Sequence, residues 1–288
     1  MIKLIASDMD GTLLNENSKI SNSVMEALNL AKQKGVLFYL ATGREYDLVE
    51  PLMKEYDLHC GQILMNGSEI RAENGDLIES INIDKSVIAE LLSISDEYGL
   101  YNELFTDQGM FTTMEREAYF EANAYRYHDF RPDLSMEECR EFIKGMNRYR
   151  EHTRILNMEE FLKSAIQIRK LSCFHPDLQK IECAKTKMNE NVSGFAILSF
   201  FDDNIEITDV TAQKGIILRK LINHLNIKPT EVAVLGDNFN DISLFQEFEH
   251  SFAVENAIPE IKNLAEYIVA SNQQDGAAQA IRMALSIV

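Results

Sequence analysis

The sequence predicts an α/β fold: a doubly wound, Rossmann-like parallel sheet forms the core, and an α+β domain is inserted into it. Three observations predict this. Short apolar runs alternate with helical patterns at the start of the chain, the same alternation resumes towards its end, and the long stretch between is dominated by hairpin-like patterns. The core takes residues 1–83 and 207–288, and the insertion, a cap-like module, takes 84–206.

The first run, IKLIAS, is too short for a buried helix and ends in turn residues, as a buried parallel strand does. Residues 22–34 set Val24, Ala27, Leu28 and Ala31 at helical spacing, and Lys32, Lys34 and Gly35 supply the stop signal. VLFYLATGR is a second strand closed by a Thr-Gly turn. A helix over residues 46–56 follows, and QILMNG is a third strand closed by Asn66-Gly67. This order implies right-handed crossovers, and ligands of such sheets collect at the carboxyl ends of the strands, here Asp8, Thr42 and Asn66.

SEIRAENGDLIESINI alternates around Asn74-Gly75 and reads as a hairpin. Within the insertion, residues 85–98 read as a helix and LYNELFTDQGMFTTM as two short strands about a Gly turn. SAIQIRKLSCF, FAILSFF and NIEITD are further strands, with a helix near 176–189. From Thr211 the α/β alternation returns: AQKGIILRKLINHL is an amphipathic helix and EVAVLGDN a strand ending in Gly236-Asp237. HSFAV and YIVA are two more strands, and residues 276–287 close the fold as a helix.

With 288 residues, 45% of them hydrophobic, the chain can bury one large or two modest cores. Its net charge of -18, with no compensating Lys/Arg block, argues against nucleic acid or an anionic membrane as partner. Cys60, Cys139, Cys173 and Cys183 show no C-x-x-C pair and no His at ligand spacing, so they read as buried or idle thiols in a reducing cytoplasm. No apolar run approaches the roughly 20 residues of a membrane span. The six histidines are scattered and read as surface or packing residues. Tyr101, Tyr119, Tyr125 and Tyr127 in the insertion read as core rather than pocket lining.

The chemistry concentrates at the strand ends. Asp8 and Asp10 stand where the first strand runs out, followed by Gly11 and Thr12. Two carboxylates so close suit a hard cation such as Mg2+, or a division in which one attacks and the other moves protons; an acidic turn is the alternative. ATGR ends the second strand, where the Thr42 hydroxyl, the Gly43 N–H and Arg44 offer donors to phosphate oxygens, although Thr-Gly is also a common turn. LGDNFND provides Asp237, Asn240 and Asp241, again oxygen ligands for Mg2+, or in part a helix cap. Lys214 opens the helix after the insertion, and a site holding several carboxylates and an anionic ligand needs such a cation.

In this order DMDGT, TGR, Lys214 before Gly215, and GDNFND resemble the four motifs of the haloacid dehalogenase superfamily. With its large insertion between the second and third motifs, the chain resembles the Cof-type phosphatases with a type IIB cap. The resemblance implies that Asp8 is the nucleophile that forms an aspartyl-phosphate and that Asp10 is the general acid and then base. Mg2+ would be held by the side chains of Asp8 and Asp237 and the carbonyl of Asp10, with Asp241 in support. Thr42 and Lys214 would hold the phosphoryl group. Thr12, Asn240 and the N–H groups near Met9 and Gly43 would be orienting groups, and Arg44 and Asn66, at strand ends, candidates for substrate contact.

The implied function is a cytoplasmic, Mg2+-dependent phosphatase, monomer or homodimer, acting on small phosphorylated metabolites. Sugar phosphates lead, followed by phosphorylated cofactors such as pyridoxal phosphate or flavin mononucleotide. A phosphotransferase such as a phosphomannomutase shares the motifs, and a non-catalytic regulatory protein on the same fold is the alternative from another class. An acid two residues after the nucleophile points to phosphoryl transfer rather than dehalogenation.

Overall fold

Leu4–Ser7 forms β1, buried along its whole length, and leads into one wide helical turn over Met9–Leu13, closed by the Leu14 N–H donating to the Met9 carbonyl. The computed structural model that shows this describes residues 1–146, 149, 152–199 and 202–287. Helix α1, Asn22–Gln33, starts where the Ser21 side chain accepts the Val24 N–H, and it buries Val24, Ala27, Leu28 and Ala31, the stripe its spacing predicts. Then follow β2 (Leu37–Ala41), α2 (Tyr46–Glu55), β3 (Gly61–Leu64) and the antiparallel hairpin of β4 (Glu69–Arg71) and β5 (Leu77–Ser80).

The chain next forms α3 (Lys85–Glu97), β6 (Tyr101–Thr106), β7 (Gly109–Thr112), α4 (Arg116–Phe130), α5 (Met136–Gly145) and β8 (Thr153–Arg154). After these come α6 (Met158–Lys163), β9 (Ile168–Phe174), α7 (Leu178–Asn191), β10 (Phe195–Ile197) and β11 (Asn204–Asp209). The last stretch forms α8 (Lys214–His224), β12 (Val232–Gly236), α9 (Ile242–Glu247), β13 (His250–Val254), α10 (Pro259–Leu264), β14 (Tyr267–Val269) and α11 (Gly276–Ala284).

Two units result, one of Met1–Ile81 with Val210–Val288 and one of Asn82–Asp209. The divisions fall at Ile81/Asn82 and Asp209/Val210 rather than after residues 83 and 206, because Ile83 donates to the Ile168 carbonyl and β11 stays paired with β10 as far as Asp209. In the first unit the sheet runs β14-β13-β12-β1-β2-β3-β4-β5. Its pairs from β14 to β3 are parallel. Since β2 and β3 extend to one side of β1 and β12, β13 and β14 to the other, the order reverses beside β1, the place where doubly wound sheets bind ligands. Helices cover both faces of such a sheet, which is why its strands read as unbroken apolar runs. The core gathers Leu4, Ile5, Leu40, Ile63, Val234 and Phe252 with helix residues such as Ala27, Leu218 and Ile281.

In the second unit the sheet runs β10-β11-β9-β6-β7-β8 and is antiparallel except where β7 meets β8. Leu104, Leu171, Cys173, Ile205 and Ile207 share an apolar cluster with Ile88 and Leu91 of α3 and Ile181 and Ala184 of α7. At the alternate positions of β9 and β11 stand Lys170, Ser172 and Glu206, as the period of two requires. Helices α4 and α5 pack on a small core of Phe120, Ala124 and Ile143.

Tyr119 of α4 is buried and donates to Glu103, whereas Tyr125 is 57% exposed, a correction to its reading as core: the helix turns it away from the stripe of Phe120, Ala124 and Tyr127. Tyr127 stacks on Phe142 at 4.2 Å, and Tyr101 packs against Phe174 and His175. The strand expected over FAILSFF is formed by Phe195–Ile197, and Phe200 and Phe201 lie outside the described residues. All four cysteines are free, Cys183 exposed and the others buried. Among the described residues, no helix is long and apolar enough to cross a membrane.

Candidate active site

Four chain segments end together at the carboxyl edge of the parallel sheet. The ladder between β1 and β12 runs to Ser7 opposite Leu235, and the Asp8 N–H extends it by donating to the Leu235 carbonyl. Asp8 therefore stands beside Asp237, the residue that follows β12. On the other side, the Thr42 N–H donates to Ile63 and the Asn66 N–H to Thr42, which brings the ends of β2 and β3 to the same edge.

Asp8, Asp237 and Asp241 are buried, and one carboxylate oxygen from each lies within 4.8 Å of the others. Lys214, fully buried at the start of α8, donates to Asp8 Oδ1 at 2.5 Å and to Asp241 Oδ1 at 2.7 Å. Asp241 Oδ2 accepts the N–H groups of Asp237 and Asn238, at 2.9 and 3.1 Å, so Asp241 both fixes the lysine and shapes the loop. That loop closes tightly because residue 236 is glycine: a Cβ there would lie 2.7 Å from Asp241. Gly11 is needed for two reasons, a φ of +81° and an approach that would put a Cβ 2.5 Å from Asp237 Oδ2. Thr12, one residue on, donates to Asp237 Oδ1 at 2.6 Å.

Three carboxylates face one ammonium, and the charge balance shows in their proton affinities. Burial pushes the Asp8 carboxyl well up; Lys214 opposes this, and Asp241 and Asp237 add to it. Burial, then Asp241, pushes Asp237 up to about 7. Burial alone would lower Lys214, but Asp241 and Asp8 outweigh it and raise its affinity for the proton. Asp8 Oδ2 is buried and, among the described residues, accepts no hydrogen bond. A divalent cation with oxygen ligands fits this set: it would neutralise the excess of like charge and give Asp8 Oδ2 a partner.

Asp10 lies apart from that cluster. Its carboxylate takes a two-point grip from Arg44, Nε to Oδ2 at 2.8 Å and Nη2 to Oδ1 at 2.5 Å, with both side chains about one-third exposed at 31% and 36%. Expected at a substrate phosphate, the guanidinium is thus engaged by Asp10. Thr42 is buried, and its hydroxyl oxygen accepts the Arg44 N–H at 3.2 Å; Gly43 stands between them in the turn. Asn240 donates to Asn66 Oδ1 at 3.1 Å, so these two orient each other. Met9 sends its side chain into the core, which leaves its backbone as the part that can serve the site.

Asn256 was not among the expected residues. It donates to the Gly11 carbonyl at 2.8 Å and accepts the Asn272 N–H, and Asn272 in turn donates to the Leu14 carbonyl. Together they tie down the turn that carries Asp10. Ser243, whose hydroxyl oxygen accepts the Gly215 N–H at 2.9 Å, fixes the start of α8 and so the root of Lys214. Single asparagines and serines carry no pattern in the sequence that marks such roles.

Comparison with known proteins bears on the family and the fold. The family model described as haloacid dehalogenase-like hydrolase matches residues 5–281. The chain is 30% identical over 287 residues to a 5-amino-6-(5-phospho-D-ribitylamino)uracil phosphatase of Bacillus subtilis (strain 168), covering 99% of each. A solved haloacid dehalogenase-like hydrolase from B. subtilis matches with a TM-score of 0.82 and 26% identity over 98% of this chain and 99% of that one. A solved sugar phosphatase of subclass IIB matches with a TM-score of 0.77 and 21% identity over 98% of each chain, a likeness of fold.

Proposed function

The chain belongs to the haloacid dehalogenase-like hydrolase family and is a phosphatase; on that premise we propose that it hydrolyses small phosphorylated metabolites through a phosphoryl group carried on Asp8, with Mg2+ as cofactor. The observation that carries this reading is the buried set of Asp8, Asp237 and Asp241 around Lys214, with Asp8 Oδ2 lacking a donor among the described residues.

In the first step an Asp8 carboxylate oxygen attacks phosphorus, the bond from phosphorus to the ester oxygen breaks, and Asp10 gives its proton to that oxygen. In the second, Asp10 takes a proton from water, the water oxygen attacks phosphorus, and the bond to Asp8 breaks, releasing inorganic phosphate. Lys214 holds Asp8 by one oxygen and, with Thr42 and the Gly43 N–H, offsets charge on the phosphoryl oxygens. Asp8, Asp237 and the Asp10 carbonyl, supported by Asp241, would hold Mg2+, which supplies positive charge to those oxygens when bound. Thr12 keeps Asp237 in place. Asn66 and Asn240 orient each other at the rim.

Sugar phosphates lead as substrates, ahead of phosphorylated cofactors such as pyridoxal phosphate or flavin mononucleotide. The B. subtilis relative is named for a ribityl phosphate carried on an aminopyrimidine, which supports a small phosphorylated metabolite and fits the phosphorylated-cofactor class as well as the sugar-phosphate class. Choice among leaving groups is assigned to the inserted unit, Asn82–Asp209. The test is phosphate release across a panel of phosphorylated sugars, nucleotides and cofactors, with Mg2+ and after EDTA. Release from at least one sugar phosphate, lost in EDTA and restored by Mg2+, is expected. No release across the panel, or an isomerised sugar phosphate without free phosphate, overturns the reading.

A further inference from the structure

The general acid of a phosphatase has to meet one oxygen, that of the departing alcohol, and an aspartate at the second position of a turn has two free side-chain torsions to lose before it can. Asp10 occupies such a place. Its backbone is extended, at φ -81° and ψ 122°, and the following residue, Gly11, is left-handed. With its side chain 36% exposed, partial burial by itself does not choose a rotamer for it.

What does choose it is Arg44. The guanidinium fork meets both carboxylate oxygens, and its planar geometry fixes the plane of the carboxylate as well as its position. Arg44 is itself anchored through its backbone: its N–H donates to the Thr42 hydroxyl oxygen, and its carbonyl accepts the Met65 N–H at 3.0 Å. One residue therefore ties the β2 turn, the end of β3 and the Asp10 carboxylate into a single frame. The two guanidinium bonds occupy one lone pair on each oxygen. A carboxylate has about four such sites, so room remains for the proton that Asp10 must carry.

We propose that Arg44 is a positioning residue for Asp10 and not a ligand of the substrate phosphoryl group, an inference that rests on the phosphatase reading above. A phosphoryl ligand serves every phosphate monoester alike, because the group it touches is the same in all of them. In the step that breaks the ester bond, a residue that acts through Asp10 serves only those esters whose leaving oxygen needs a proton. An alkoxide needs one, whereas p-nitrophenolate leaves without it.

The experiment compares kcat/KM, which reads the chemistry up to cleavage of the ester bond, for an alkyl phosphate such as a hexose phosphate and for p-nitrophenyl phosphate. Arg44→Ala is expected to lower the value for the alkyl ester by about 100-fold and to lower that for the aryl ester at least about 10-fold less. Arg44→Lys, which keeps the charge but loses the fork, should fall between wild type and alanine on the alkyl ester. In an Asp10→Asn background, Arg44→Ala should cost little more, because the two residues act as one unit. Equal losses for both esters, or full additivity with Asp10→Asn, overturn the proposal. An inactive wild-type protein would instead remove the reading beneath it, and the two failures are told apart by that first measurement. A variant that unfolds is recognised by its thermal midpoint, and Arg44→Lys then carries the comparison.

Discussion

Both units of this chain bury a lysine, and the two lysines live in different electrostatic company. Lys214 lies between Asp8 and Asp241, with Asp237 as a third carboxylate in the same cluster and every member buried. Lys170, on β9 of the inserted unit, meets Glu206 at 3.0 Å and the ring of Phe105 at 4.6 Å from its centroid, and the Glu206 side chain keeps 18% of its surface in water. The first arrangement carries excess negative charge that only a bound cation or a retained proton relieves. The second pairs its lysine with a glutamate that keeps part of its surface in water. Burial of charge alone does not mark a site; imbalance of buried charge does.

The strongest way to break that distinction is Asp8→Asn. It should lower kcat for a sugar phosphate by at least about 10^4-fold, since the nucleophile is gone. The thermal midpoint of the metal-free variant should not drop, because one of three crowded charges has been removed while Asp241 still holds Lys214. Near-normal turnover by the variant would defeat the covalent mechanism.

Next in size is Lys214→Met, which leaves three buried carboxylates with no ammonium. In urea unfolding of the metal-free protein it should cost about 3–5 kcal/mol, and added Mg2+ should recover part of the loss. A loss under 1 kcal/mol, by the same rule, would mean that the cluster tolerates its own charge.

A pH series sharpens the same point without mutation. Asp237 is raised by burial and by Asp241 from the usual carboxyl range to about 7. A carboxyl raised in the folded state stabilises the fold fully below its ordinary value, and that contribution is lost as pH rises through about 7. In EDTA the thermal midpoint should therefore fall between pH 6 and pH 8. Saturating Mg2+ should lift it by about 5 °C at pH 8 and by less at pH 6, where it displaces a proton. A metal effect that is larger at pH 6 would contradict the assignment.

The smallest effect is expected from Lys170→Met, about 1–2 kcal/mol by urea unfolding, because Glu206 already keeps 18% of its side-chain surface in water. If that variant is as damaged as Lys214→Met, the contrast between the two buried lysines collapses.

The core was legible in the sequence because a parallel strand covered on both faces must be apolar throughout and must end abruptly where it meets solvent or a site. IKLIAS, LFYLA and VAVLG announce themselves in that way, and so do the polar residues that follow each of them. Helix α4 was not legible: its aromatic and apolar residues surround the helix, with Tyr125 pointing out while Phe120 and Ala124 point in, so no single stripe appears in the sequence. The direction of Arg44 was equally hidden. An arginine after a Thr-Gly turn is available to a phosphate or to a carboxylate, and the choice depends on Asp10, 34 residues away along the chain. Asn256 reaches Gly11 across 245 residues, a distance over which spacing carries no information.

The sequence by itself thus determined which residues arrive at the carboxyl edge of the sheet, since strand periodicity and turn chemistry are local properties. It also offered the inventory of Asp8, Asp10, Thr42, Lys214, Asp237 and Asp241 as the candidates, from turn chemistry, the need for a cation among carboxylates and the resemblance of the four motifs. The tertiary structure alone decided how that inventory divides. Packing brings Asp8, Asp237, Asp241 and Lys214 into one dry cluster, and it sets Asp10 outside, gripped by Arg44. Proton affinity and charge balance follow from distance and burial, and both of these exist only once the strands lie side by side.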